Sequence, residues 1–437
     1  MQLNTIDRTK PPDFKLIDKI SIIEPEFIKL DYGIPVYLIR AGKHELLRVD
    51  FIFDVPLDAA WFNTSPLIPQ ATNTMLLEGT KTHTAFELAE KLDFYGAYLN
   101  CETERHTSVV SLYTLSKYFE NLLPLILDLL CFPIFPENEL INLLSKRKQS
   151  FEIENSRVEN LARYRFFNAL YGDKHPYGFM PTLLDFDSVT RTKIVDYFQQ
   201  RYTPSNCRII IAGNIKDEHI SLLNKQFVLS NHNHEKLPLL DPLVYKALTQ
   251  VDRKHFIVKN DSMQSAIRLG KALFNKLHPD YLEMKVVNTI LGGYFGSRLM
   301  TNLREDKGLT YGIGSALTST IIDGALIINT EVNADLYEPA LNEIYAELHA
   351  LRAQPVSDTE LNLVRNYMMG EMLRVFDGAF SITDALRHVI DYDLDFSYFD
   401  QLIETIKTIT PNRIQHLANQ YLQSDSFVEV VAGKKVG

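Results

Sequence analysis

The chain repeats itself at an offset of 220 residues, and this constrains its fold more than any other feature. Val189-Thr190 is answered by Ile409-Thr410, Ile194 by Ile414, and Gln200 by Gln420. The register then runs without a gap to Ile210-Ile211-Ala212-Gly213 and Val430-Val431-Ala432-Gly433. Each copy reads as an amphipathic helix, a polar turn and a buried β-branched strand ending at glycine. Duplication of such a unit predicts two similar domains, in keeping with 437 residues, more than one ordinary core holds. Ser230 to Pro242 is rich in Asn, His and Pro and lacks periodicity. The expected division is therefore a first domain over 1–230, a linker over 231–242 and a second domain over 243–437.

Within the first domain, Phe27 to Leu30, Val36 to Ile39 and Leu47 to Phe53 read as strands of an antiparallel sheet, with a turn at Gly33. Helical segments follow around Ile68 to Glu78, Ala85 to Tyr95, Leu115 to Leu130, Glu137 to Glu154 and Arg157 to Leu170. The second domain opens with a strand over Ser265 to Leu269 and a helix over Asp280 to Leu291. Strands followed by blocks of helices predict an α+β fold, each domain a mainly antiparallel sheet with helices on one face.

Composition removes several classes of function. A formal charge of −10 with no Lys/Arg run argues against nucleic acid, which needs a basic face to replace phosphate counterions. Cys101, Cys131 and Cys207 are widely spaced and odd in number, so neither a disulfide framework nor a cysteine-rich metal site is expected. Met1 to Phe14 lacks the apolar core of a secretory signal and the arginines of a transit peptide. Leu122 to Phe135 is shorter than a membrane span and carries Asp128. Together these lead to an expectation of a cytoplasmic protein without a membrane partner. His232-Asn233-His234-Glu235 reads as solvated linker, since nothing nearby fixes a third ligand. His83, His106 and His175 read as capping, surface or packing residues.

Two stretches carry chemistry. In the second half, Gly292-Gly293-Tyr294-Phe295-Gly296-Ser297-Arg298-Leu299 leads into Asn302-Leu303-Arg304-Glu305-Asp306-Lys307-Gly308-Leu309-Thr310-Tyr311. Ser297 is placed to cap a short helix, Gly308 to end it in a left-handed conformation, and Leu309 to Ile313 to continue as a strand. Arg304 then falls in the last helical turn and Tyr311 early in the strand. No Gly-Lys-Ser/Thr follows the glycines, so a phosphate loop is not indicated. In the first half, Gln70-Ala71-Thr72-Asn73-Thr74 runs into Met75-Leu76-Leu77-Glu78-Gly79-Thr80.

The first-half stretch resembles the H-x-x-E-H helix of the inverzincins, the pitrilysin and processing-peptidase family, with Met75, Leu76, Gly79 and Thr80 matching its tail. Two histidines one helical turn apart share zinc there, and the glutamate between them is the general base on the metal-bound water. Here those positions are Gln70, Asn73 and Thr74. The family's third ligand lies roughly 75 residues farther on. Counting back from Tyr171-Gly172-Asp173-Lys174-His175-Pro176-Tyr177-Gly178, which resembles the family's downstream segment, puts it at or near Ser150, with Glu152 the nearest carboxylate. The second-half stretch resembles the Arg/Tyr motif of bacterial processing-peptidase-like proteins.

The resemblance implies a duplicated α+β fold over nearly the whole chain and no metal or other cofactor in this chain. It implies that Arg304 and Tyr311 bind the substrate backbone and scissile carbonyl. The implied role is the metal-free, substrate-binding subunit of a heterodimeric zinc peptidase. Zinc would come from a homologous partner with intact H-x-x-E-H, the substrate would be a peptide or unfolded polypeptide, and the lone chain would have no activity. The rival implication is a non-catalytic scaffold, like the peptidase-derived core subunits of a respiratory complex.

Overall fold

The computed structural model describes residues 17, 19–31, 33–55, 65–227, 247–248 and 252–435. The expected linker over 231–242, with His232, His234 and Glu235, lies outside the described residues. The first half comprises β1 (Glu26–Lys29), β2 (Pro35–Arg40), β3 (Leu46–Asp54), α1 (Ile68–Met75), α2 (Ala85–Phe94), β4 (Tyr98–Thr103) and β5 (Thr107–Leu115). It continues with α3 (Phe119–Cys131), α4 (Glu137–Asn155), α5 (Val158–Tyr171), α6 (Leu183–Asp187), α7 (Arg191–Arg201), β6 (Cys207–Gly213) and α8 (Asp217–Gln226). The second half holds β7 (Lys254–Val258), β8 (Gln264–Leu273), α9 (Tyr281–Asn288), β9 (Thr310–Ser319) and β10 (Gly324–Asn333). It ends with α10 (Tyr337–Ala353), α11 (Asp358–Val375), α12 (Ala379–Ile390), α13 (Ser397–Thr408), α14 (Pro411–Tyr421) and β11 (Val428–Gly433).

The fold is α+β, with two sheet-and-helix halves. The first sheet runs β1-β2-β6-β3-β5-β4 and the second β7-β11-β8-β10-β9. Removing β1 from the first leaves the same order as the second. Each sheet has one parallel pair, β2 with β6 and β7 with β11, among otherwise antiparallel ladders. The repeat is reproduced in its capping: Thr190 accepts the amide of Lys193 at the start of α7, and Thr410 accepts that of Arg413 at the start of α14.

Both faces of each sheet are covered, which one-sided helix packing did not anticipate. Alternate residues of a strand point to opposite faces. On β6, Ile209 and Ile211 join the core formed with the first half's own helices, while Ile210 and Ala212 join a core shared with α12 of the second half. Reciprocally, α5 of the first half packs on β8 and β11, and Phe166 and Ala162 meet Val428, Val430 and Ala432. Strands buried on both faces read as continuous apolar runs, as Ile209 to Ala212 do. The halves therefore exchange one helix each.

Around the exchanged helices the contacts are polar. Arg208 of β6 bridges Asp54 and Asp391, each at 2.8 Å. Buried Arg48 pairs with Asp50 at 2.8 Å and reaches Asp384 of α12 at 2.8 Å. Where the β4–β5 turn meets the β9–β10 turn, the amide of Ile322 donates to the Tyr177 hydroxyl at 3.3 Å, and that hydroxyl lies 3.3 Å from His106 Nε2. Tyr171 and Tyr177 are core residues here. None of Cys101, Cys131 and Cys207 is joined in a disulfide among the described residues. Among the described residues no helix is long and apolar enough to cross a membrane.

Candidate functional site

The helix that would carry the zinc motif is present as α1, but each expected ligand position does something else. Gln70 is exposed. Asn73 is buried at 1% exposure: its Nδ2 donates to the carbonyls of Glu102 at 2.7 Å and Val109 at 3.3 Å, and its Oδ1 accepts from the Tyr202 hydroxyl at 2.9 Å. Thr74 Oγ1 donates back to the Gln70 carbonyl at 2.9 Å and accepts from Arg147 Nη2 at 3.1 Å. The position of the general base thus ties α1 to the β4–β5 hairpin and to the end of α7.

From α4, the residue that reaches α1 is Arg147, three positions before the expected Ser150. Ser150 and Glu152 are both exposed. Nothing in the local sequence connects residue 147 to residue 74, so only the packing of α4 on α1 reveals the contact. Burial lowers the Arg147 pKa, and among the described residues its buried Nε has no hydrogen-bond partner. Among the described residues, no three His, Cys, Asp or Glu side chains converge as metal ligands. Zinc does not fit this set, because two neutral side chains already bonded within the protein and a guanidinium replace the imidazoles and carboxylates it needs.

Arg304 and Tyr311, by contrast, are brought together. Met300–Asp306 is a π-helical segment, and Gly308, at φ 59°, turns the chain back into β9 with the Leu309 amide on the Leu303 carbonyl at 2.8 Å. The Arg304 guanidinium lies against two rings, 4.8 Å from the centre of Phe295 and 5.0 Å from that of Tyr311. Stacking of this kind holds the guanidinium plane while leaving its edge able to donate. Tyr311 is 89% exposed. It lines a cleft of about 510 Å³ with Glu159, Arg268, Asn329 and Glu331.

A β-bulge aims the phenol. Thr310 pairs with Val332 and Ile313 with Thr330, so Tyr311 and Gly312 together oppose the single residue Glu331. Bulges turn a side chain out of the regular alternation and are frequent beside active sites. The Thr310 hydroxyl secures this one, donating to the Glu331 carbonyl at 2.7 Å and accepting from the Gly312 amide at 3.1 Å. β9 is also the outer strand of its sheet.

The turn bearing Phe295 is equally supported. A Cβ on Gly292 would lie 2.6 Å from the Ser315 amide, so only glycine lets the turn approach β9 this closely. Arg298 grips Glu360 of α11 through two hydrogen bonds of 2.7 and 2.8 Å. Ser297 precedes the helix as expected, but among the described residues its buried hydroxyl has no hydrogen-bond partner, so it does not cap it. Phe295 and the bulge were not read from the sequence as functional; the aromatic within the glycine turn and Gly312 after Tyr311 were the available signals.

Comparison with known proteins accords with this geometry. Residues 72–175 match the family model described as insulinase (peptidase family M16), and residues 188–368 the one described as the peptidase M16 inactive domain. An uncharacterized zinc protease of Bacillus subtilis, YmxG, is 24% identical over 364 residues, covering 82% of this chain and 86% of that protein. The probable inactive metalloprotease YmfF of the same organism is 21% identical over 392 residues, covering 81% of this chain and 86% of that one. Among solved structures, a peptidase M16 inactive domain from Pseudomonas fluorescens superposes with a TM-score of 0.82 at 22% identity, over 94% of this chain and 99% of that one. A protease from Helicobacter pylori gives 0.85 at 17% identity, over 94% and 100%. The chain belongs to the insulinase (M16) peptidase family, as a member whose described residues hold no metal-binding cluster.

Proposed function

We propose that this chain is the substrate-binding, metal-free partner in a two-chain peptidase, working with a homologue that retains H-x-x-E-H. The observation that carries the reading is the stacked Arg304 beside the cleft-facing Tyr311. A phenol hydroxyl can donate to a carbonyl oxygen as it gains negative charge, and a guanidinium can hold a peptide oxygen by a charged hydrogen bond. Losing one such donor typically costs roughly 3 kcal/mol of transition-state stabilisation. The zinc-bound water and its general base would come from the partner, while this chain orients an extended polypeptide.

The test is reconstitution with a zinc-bearing family member found with it in the same cell. The mixture should hydrolyse an unfolded polypeptide that neither chain cleaves alone. Tyr311→Phe and Arg304→Ala should each lower kcat/KM by about a hundredfold, with unchanged thermal midpoints. Full activity in both variants would remove the pair from catalysis. A stable complex that hydrolyses nothing would favour a scaffolding role instead.

A further inference from the structure

We propose that a row of guanidiniums along α5 binds acidic side chains of an extended polypeptide, making acidic segments the substrate class this chain takes. This rests on the peptide-binding part of the preceding reading and not on a zinc-bearing partner.

Glu159, Arg163 and Phe167 follow one another at helical spacing on α5, so they form a row along one face. Each position brings a guanidinium. Glu159, which lines the cleft of Tyr311, holds Arg268 of β8 at 3.2 Å. One turn on, the Arg163 guanidinium lies 4.8 Å from the centre of the Tyr164 ring. A further turn on, that of Arg105, from the β4–β5 turn, lies 5.7 Å from the centre of Phe167 and 4.8 Å from that of Tyr177. Burial lowers the pKa of Arg105 and of Arg268, and the nearby Arg163 charge lowers both further. These cations are gathered closely enough to repel one another.

Their neutralisation is uneven. Arg268 has Glu159, and Glu331 lines the same cleft. Among the described residues neither Arg163 nor Arg105 forms an ion pair with a carboxylate, and rings flank both. Arg105 is exposed to solvent, yet the surrounding protein desolvates it enough to lower its pKa, the combination that a concave wall gives. A ring face fixes a guanidinium plane and leaves its N–H edge to a ligand. A carboxylate matches that edge through two parallel hydrogen bonds. Spacing selects a peptide: four helical residues rise ~6 Å and two residues of an extended chain ~6.6 Å, so alternate side chains keep step with the row. Acidic residues about two and four positions from the residue at Tyr311 would therefore meet Arg163 and Arg105.

The experiment uses two fluorescent unstructured peptides of equal length, one with glutamate at alternate positions and the other with glutamine there. Binding to the full chain is followed by polarisation. The glutamate peptide should bind about tenfold more tightly, the scale of a charged hydrogen bond. A formal charge of −10 on the chain opposes that preference, so only a local basic site can produce it. Arg163→Gln should remove most of the preference, Arg163→Lys should keep part of it, and Arg163→Gln combined with Arg105→Gln should abolish it. Equal affinities for the two peptides in the wild-type chain would overturn the proposal, without any variant having to fold, and leave substrate binding standing. A preference that survives in the double variant would overturn it too. Loss of the preference in millimolar inorganic phosphate at constant ionic strength would assign the arginines to small anions and overturn the peptide reading. If neither peptide binds, both this proposal and substrate binding fall. If the preference holds but reconstitution yields no hydrolysis, only the two-chain peptidase reading falls.

Discussion

At position 73 an amide does what a carboxylate could not do at such depth. Asn73 donates toward two carbonyls and accepts from one hydroxyl, whereas an ionised carboxylate can only accept and would face the Glu102 and Val109 oxygens unpaired. Asn73→Ala should cost ~2–4 kcal/mol of unfolding free energy, because the Tyr202 hydroxyl and the Glu102 carbonyl lose their partner. Asn73→Asp should be worse at neutral pH and partly recover on acidification, as the protonated acid regains a donor. Urea unfolding at two pH values checks both, and a neutral effect in Asn73→Ala would remove the structural role. That Gln70, Asn73 and Thr74 offer no imidazole or carboxylate was legible because ligands obey local helical spacing. Arg147 was not, since a contact between residues 147 and 74 depends on how two helices pack.

Among elements, the repeat is the one best read from sequence. The caps at Thr190 and Thr410, the helices α7 and α14, and the strands β6 and β11 stand in equivalent places because each is set by short-range chemistry: a hydroxyl over free amides, a turn, a β-branched run. Thr190→Ala and Thr410→Ala should each cost about 1 kcal/mol, and together should add, since the caps share no partner. Thermal or urea unfolding of the single and double variants tests this; strong non-additivity would show the two halves to be coupled through these helices. The Arg304 and Tyr311 segment was similarly legible in outline, because Gly308 and the strand start are local signals. Its aim was not. The bulge at Tyr311 and Gly312 depends on the pairing of β9 with β10, and a bulge leaves at most a glycine as its trace.

Across the whole molecule, the meeting of the β4–β5 and β9–β10 turns makes stability respond to pH. Burial, and secondarily Arg105, push His106 and His175 down to about 4. Both therefore favour the folded state fully above the ordinary histidine value near 6.5 and lose that contribution as pH falls toward 4. Burial pushes Asp323 up to about 6, so it acts in the opposite sense: its contribution is present below about 4 and is lost as pH rises through 6. Two histidines against one aspartate give a net loss between pH 6.5 and 4, on the order of 1–3 kcal/mol once partial exposure is allowed for. Denaturant unfolding at pH 7 and pH 4.5 should show it. His106→Gln should flatten the dependence, and Asp323→Asn should steepen it and raise stability at pH 7. A profile unchanged by either substitution would place the titration elsewhere.

The sequence by itself determined that the chain is a duplicated α+β protein, that positions 70, 73 and 74 carry neither imidazole nor carboxylate, and that Arg304 and Tyr311 lie at a helix end and a strand start. All of these follow from spacing within a few residues or from repetition along the chain. Only the tertiary structure decided that α5 and α12 exchange places, that Arg147 reaches Thr74, and that Arg304 lies against both Phe295 and Tyr311. The physical reason is that an amphipathic period tells a helix to bury one face but not against which sheet. A charged side chain far along the chain likewise acquires its neighbours only when the apolar faces have chosen theirs.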